Sequence, residues 1–388
     1  PEGYDAKIIL NELNHQQNSV VHVARDDKRM RAMADALNFF HPDLEVFEFP
    51  SWDCLPYDRV SPNMEISSTR MAILSKFADN APKNFVVLTT LNAVLQKVPC
   101  KSVLKDYAFK AQVGENINEK LLREFLVRMG FTKSSTVREA GEYAIRGGII
   151  DIFPPGYSNP VRLDLFGNIL DGARLFDSET QLTIEKLNEI ELAPVSEVVI
   201  DEFSIKKFRQ SYRAQFGSTL TNDPLYEAVS NGRKYQGLEH WLPFFYEELD
   251  TVFSYFPTAT ITMYNNLDAD LVSRCKLVSD QYEARAFAND NKPTKDYAYK
   301  PIRPSALYLD ETEWAKLIKT RRSMIFTPLP QPLGPNIVDS GGRIGRNFAP
   351  ERQSDNLSLF SSLANHLQKR LKYGPVLIAS YSEGSVER

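Results

Sequence analysis

Between residues 20 and 90 the apolar positions alternate between two periods. Short apolar runs at Val20–Ala24, Val46–Phe49 and Phe85–Thr90 predict strands. Between them, Met30, Met33, Leu37 and Phe40 fall on one face of a predicted helix, and Ile66, Ile73 and Phe77 on one face of another. A short helix, Asp5–Leu13, comes first. Strand–helix–strand alternation of this kind predicts a parallel sheet covered by helices. The Pro-studded stretch from Pro50 to Pro62, holding Trp52 and Tyr57, lacks periodicity and reads as a loop.

Near residue 105 the pattern changes. A helix with Leu121, Leu122, Phe125, Leu126 and Met129 on one side precedes short strands separated by Gly and Pro turns, an antiparallel α+β character lasting to about residue 194. Helical spacing returns at Ile205, Phe208, Tyr212 and Phe216. An aromatic-rich segment (His240–Tyr246), strands at Val252–Tyr255 and Thr260–Tyr264, and a strand–helix–strand over Ala306–Leu329 then predict a second α/β unit. Residues 289–304 read as an exposed loop and 329–353 as an interdomain linker. A helix with Leu357, Phe360, Ala364, Leu367 and Leu371 on one face, then a strand at Pro375–Ser380, predict the start of a last small domain.

One strand breaks its own pattern. In Val161–Phe166 the apolar Val161, Leu163 and Leu165 alternate with Arg162, Asp164 and Phe166. Period two therefore places Phe166 on the polar face beside Arg162. Burying a Phe is worth roughly 1.5–3 kcal/mol, so something is expected to cover it: a neighbouring element of the same chain, or a partner.

Composition narrows the function classes. A chain of 388 residues, 43% hydrophobic and 25% charged, predicts two to four globular domains. No apolar run approaches the ~20 residues of a membrane span. A net charge of −4 argues against a protein that coats nucleic acid. Three scattered cysteines (Cys54, Cys100, Cys275) and five histidines show no metal-ligand spacing, which predicts no metal site and a reducing, cytoplasmic setting. No signal peptide is legible, and both ends look cut, which predicts a fragment of something longer.

Two α/β units around an insert suggest a helicase-type nucleotide-binding pair. Such a site needs a Gly-rich loop ending in Lys and Ser or Thr, and no Gly-Lys-Ser or Gly-Lys-Thr occurs. Where the first helix begins the chain reads Gly3-Tyr4-Asp5, with Tyr in place of the phosphate-binding Lys. After Thr260–Tyr264, Asn265-Asn266 stands where a magnesium-binding Asp-Glu pair would be. No ATP hydrolysis is expected of this segment and no catalytic residue is assigned. Asp53, Asp58 and Glu65 lack a metal-ligand partner. Lys206, Lys207, Arg209 and Arg213 read as a solvated helix face, and Trp52 and Tyr57 as packing onto their own domain.

The run GEYAIRGGIIDIFPPG, with VRLDLF and ARLFD behind it, resembles the segment shared by the excision-repair helicase UvrB and the transcription-repair coupling factor (Mfd). The flanks FPSWDCLPYDRVSPNMEISSTRMAIL, VVLTTLNAVLQKV, GLEHWLPFF and DTVFSYFP resemble the N-terminal region of the bacterial coupling factor family. In UvrB the stretch corresponding to Phe256–Asn266 ends in Asp-Glu. UvrB's Tyr-rich DNA-clamping hairpin has a short counterpart here, around Trp52–Pro62.

The resemblance implies an α/β protein with degenerate helicase-like (P-loop NTPase-type) α/β domains over 1–107 and 195–330. It also implies an inserted α+β UvrA-interaction domain (108–194), a linker (331–342) and the start of a small C-terminal α/β domain (343–388). The implied function is a non-catalytic adaptor that recruits UvrA of nucleotide excision repair to RNA polymerase stalled at DNA damage. This segment would need no cofactor. The full-length protein would use ATP and magnesium to translocate on duplex DNA and displace the polymerase, with a C-terminal domain masking the UvrA face at rest and no membrane contact. Carried over by position, the UvrA contacts fall on Arg146, Arg162 and Phe166. Arg174 is a weaker candidate, equally read as solvated or paired with Asp164 or Asp171, and Gly147-Gly148 would permit a bulge that aims Arg146. The alternatives are a UvrB-type damage-binding helicase subunit and a DNA-binding module.

Overall fold

The computed structural model describes residues 3–16, 19–79, 81–217, 223–290, 299–332, 334–341, 343, 345–353, 358–379, 382 and 384. Five parallel strands form one sheet in the order Ser323–Phe326, Thr260–Tyr264, Val20–Ala24, Phe85–Thr90, Glu45–Phe49. Period-two alternation sends successive side chains to opposite covers. Val20, Val86 and Leu88 pack beneath Ala6, Ile9, Met30, Met33 and Leu37 of the helices Tyr4–Gln16 and Asp27–Phe40. Val21, Val23, Val87 and Ile261 face Ile73, Leu74 and Phe77 of the helix Met64–Asp79. His22, in a central strand, is buried with its Nδ1 2.9 Å from the Thr262 hydroxyl, and burial lowers its pKa to about 4.

The segment 195–330 is therefore not a separate α/β unit. Its strands Thr260–Tyr264 and Ser323–Phe326 complete the first sheet, with Val20 opposite Thr260, far away along the chain. A strand apolar on both sides needs neighbours on both edges as well as helices on both faces, and the N-terminal segment alone cannot supply them. Two expected strands are also absent. Val252–Tyr255 is a turn of 3-10 helix, and Pro304–Leu307 is a short helix that occupies the start of the expected Ala306 strand. A brief apolar run, fully buried, does not distinguish strand from helical turn. Of the expected exposed loop, 291–298 lie outside the described residues, while Ile302 is buried. Phe40 ends its helix and is half exposed, and Leu121 points away from the core its neighbours join.

The chain leaves the parallel sheet after Phe85–Thr90 and builds a second one. Its six strands run in the order Thr183–Leu187, Ile169–Phe176, Val161–Phe166, Ile149–Ile152, Glu142–Arg146, Thr132–Lys133, all antiparallel but the last pair. The helix Glu119–Arg128, N-capped by Asn118, lays Leu122, Phe125 and Leu126 on Ile150, Ile152, Val161, Leu163 and Leu170. Entry and exit strands, Phe109–Gln112 and Glu189–Leu192, pair with each other. Just past the exit, Glu197 is buried and takes Nε and Nη2 of buried Arg70 at 2.6 and 3.3 Å and the Trp52 indole at 3.0 Å. Arg70 also lies 4.3 Å from the Phe49 ring centroid. A buried ion pair this well bonded fixes geometry more than it adds stability.

Residues 331–388 are a separate compact unit. It contains the helices Ala349–Gln353 and Leu359–Leu371, the latter N-capped by Ser358. Leu357 and Ser380 of the expected helix and strand lie outside the described residues, and 375–379 are not a strand. Among the described residues of this unit no strand is present to hydrogen-bond with them, and an isolated strand is not stable.

Candidate docking face

In Val161–Phe166 the residues Val161 and Leu163 are buried, Arg162 and Asp164 half-buried, and Phe166 is 80% exposed. Antiparallel register sets which neighbours share the outer face. Asp151 lies opposite Arg162, Arg162 opposite Arg174, Ile149 opposite Asp164 and Arg146 opposite Ile149. The four expected residues Arg146, Arg162, Phe166 and Arg174 thus share one face, but their states differ.

Arg162 is committed to its own domain. Its Nε and Nη2 donate to the Asp151 carboxylate at 2.6 and 2.8 Å, and its guanidinium lies 4.5 Å from the Phe176 ring centroid. The Asp151 hydrogen bonds push the Arg162 pKa up, and 17% of its side chain is accessible. Phe176 is buried with Val137 and Ala144 in a small satellite core on this outer face. Arg174 pairs with Asp164 at 2.9 Å. Arg146 is half exposed; its Nη2 donates to the Ser135 carbonyl at 2.5 Å and its Nη1 lies 4.0 Å from Asp151.

The rest of the face is open and apolar. Phe166 pairs across the turn with Ile169, which is 46% exposed, and Ile149 is 37% exposed. Sequence reasoning missed both isoleucines, as it missed Asp151. The turn Gly167-Asn168 carried a signal for Ile169: a two-residue hairpin loop puts its flanking residues on one face. Gly147-Gly148 is likewise a hairpin tip and not the expected bulge. Gly147 has φ +62°, and a Cβ on Gly148 would sit 2.6 Å from the Leu165 carbonyl oxygen. The irregularities in this sheet fall instead between Leu170 and Gly172, opposite Asp164, and between Leu175 and Phe176.

The residues expected at a degenerate nucleotide site lie in the parallel sheet. Gly3 (φ +78°) precedes the helix Tyr4–Gln16, and the Asp5 carboxylate accepts from the amide of Ala6 at 3.2 Å. Glu12, near the far end of that helix, accepts from Thr260, the first residue of its strand, at 3.2 Å. That contact sets the C-terminal half of the helix beside the start of the strand, and Asn265 and Asn266 follow Tyr264 at the strand's other end. Asn265 donates its amide to Phe326 (3.0 Å). Asn266 (φ +65°) receives the amides of Ala269 and Asp270 at the start of the helix Leu267–Asp290. Among the described residues, no cluster of three or more His, Cys, Asp or Glu side chains could hold a metal ion.

The remaining candidates are structural. Trp52 and Tyr57 are buried in an aromatic core with Phe208, Tyr212 and Trp241, out of reach of a nucleic-acid base. On the basic helix face, Lys207 pairs with Glu247, Arg209 donates to the Tyr226 hydroxyl at 3.3 Å, and Arg213 lies 5.4 Å from the Tyr226 ring centroid.

Residues 109–198 match the family model of the UvrB interaction domain. Over 314 residues the chain is 31% identical to the transcription-repair-coupling factor of Rickettsia bellii, covering 81% of this chain and 28% of that protein. This chain is a relative of the transcription-repair-coupling factors. The Escherichia coli factor is 32% identical over 257 residues, covering 66% of this chain and 22% of that protein. The Bacillus subtilis factor is 26% identical over 299 residues, covering 72% and 25%. The chain thus spans about a quarter of the length of the transcription-repair-coupling factors it matches. The sheet carrying Phe166 lies wholly within the UvrB interaction domain. No helix among the described residues is long and apolar enough to cross a membrane.

Proposed function

We propose that this chain is a non-catalytic docking segment that recruits UvrA to transcription complexes stalled at DNA damage. The observation that carries the proposal is Phe166, left in solvent on the outer face of the UvrB interaction domain, the face that half-exposed Arg146 shares two strands away. An exposed aromatic and an arginine on one face are the composition of an interface hot spot. Ile149 and Ile169 extend the apolar contact, and Arg146 supplies a cation for a partner carboxylate. Arg162 contributes as the frame that holds the face. The parallel sheet with Tyr4 and Asn265-Asn266 fits a helicase-like domain whose nucleotide site has decayed. In the full-length protein, ATP-driven translocation on duplex DNA, displacement of RNA polymerase and masking of this face by a C-terminal domain belong to the rest of the polypeptide.

Calorimetric titration of UvrA against this chain and its Phe166→Ala variant tests the reading. Saturable binding by the parent, lost in the variant at an unchanged unfolding midpoint, is expected. Equal binding by both would remove the docking role from this face.

A further inference from the structure

We propose that Asp151 is a positioning residue for this docking face, deciding which of two arginines is free to meet the partner; the inference rests on the UvrA-docking reading. Asp151 is 1% exposed and lies at the centre of the outer face. A buried carboxylate is tolerated when paired and hydrogen-bonded. It faces two guanidiniums, Arg162 at 2.6 and 2.8 Å and Arg146 at 4.0 Å.

The two arginines are not equivalent. The two-point contact from Arg162 fixes the plane of its guanidinium. Phe176 supports it from one side at 4.5 Å and Gln181 accepts from Nη2 at 3.4 Å, so Arg162 has no freedom to reach outward. Its charge is neutralised in place. Arg174 is likewise neutralised by Asp164. Of the three arginines on this face, Arg146 is therefore the one left available, held loosely toward Asp151 on one side and by the Ser135 carbonyl on the other. Removing the Asp151 charge would release Arg162 and leave Arg146 without its inward counter-charge. The face would keep its residues and lose their arrangement.

The test measures UvrA affinity and urea midpoints for the full chain carrying Asp151→Asn, Arg146→Gln, the double substitution, and Phe166→Ala as control. Asp151→Asn is expected to weaken UvrA binding about tenfold, the scale of a lost charge-assisted hydrogen bond. Arg146→Gln should cost several-fold in the parent and less than about twofold beside Asp151→Asn, because an arginine already misplaced has little left to lose. A purely structural Asp151 would shift the midpoint without coupling to Arg146.

Asp151→Glu serves if Asp151→Asn does not fold. It keeps the charge pair but displaces the carboxylate by one methylene, and should stay folded and bind several-fold more weakly. Loss of binding in Phe166→Ala, with parent-like affinity in the Asp151 variant that folds or an undiminished Arg146→Gln effect beside Asp151→Asn, overturns the inference and leaves the docking role standing. Parent-like affinity in Phe166→Ala removes the docking role itself, and this inference with it.

Discussion

The parallel sheet is covered by helices on both faces and ends in two asparagines. The antiparallel sheet is covered on one face and leaves Phe166 in solvent on the other. Parallel α/β sheets bind ligands at strand ends, where loops and helix N-termini converge. Here Asn265 and Asn266 follow the strand Thr260–Tyr264 at that end. A half-covered antiparallel sheet offers something different, a broad face whose side chains are placed by register and held by cross-strand pairs such as Asp151–Arg162. The docking face proposed above is of this second kind.

Breaking the junction between the two sheets should have the largest effect. Arg70→Ala would leave Glu197 buried without its cation and cost about 3–5 kcal/mol, read from urea unfolding. Truncating the open face comes next: Phe166→Ala should lose about 2 kcal/mol or more of UvrA binding at an unchanged midpoint.

Acid should then separate the sheets. The pKa of His22 is lowered from 6.5 to about 4, so its unfolded form takes the proton first. Its contribution is whole above pH 6.5 and drains as pH falls toward 4, at roughly 1.4 kcal/mol per unit. His240 is lowered to about 4 in the same way, and no histidine lies between residues 109 and 198. Hydrogen exchange at pH 5.5 should therefore show the parallel sheet loosening first, and earlier loosening of the antiparallel sheet would refute this. The smallest effect is expected of Arg174→Ala, whose partly exposed pair with Asp164 should contribute under about 1 kcal/mol to UvrA affinity by titration.

Local patterns were legible and long-range pairings were not. Val20–Ala24, Phe85–Thr90 and Thr260–Tyr264 announce themselves as strands, yet nothing near Val20 says that Thr260 lies beside it. One shared sheet therefore read as two units. The exposure of Phe166 followed from alternation within six residues. The commitment of Arg162 did not, because it depends on Asp151 across a strand pair whose register the alternation leaves open. Val252–Tyr255 misled for a different reason: aromatic and branched residues favour strands, but here they fill a helical turn in the core.

The pairing of Phe109–Gln112 with Glu189–Leu192 gives the antiparallel domain a property of its own. Its two ends leave the body side by side, about one strand spacing apart. Yet Met64, Val195 and Val199, outside those strands, complete its core, so a cut there would open that core. A portable head carrying Arg146, Asp151, Arg162 and Phe166 together would therefore need the residues just beyond its exit strand as well.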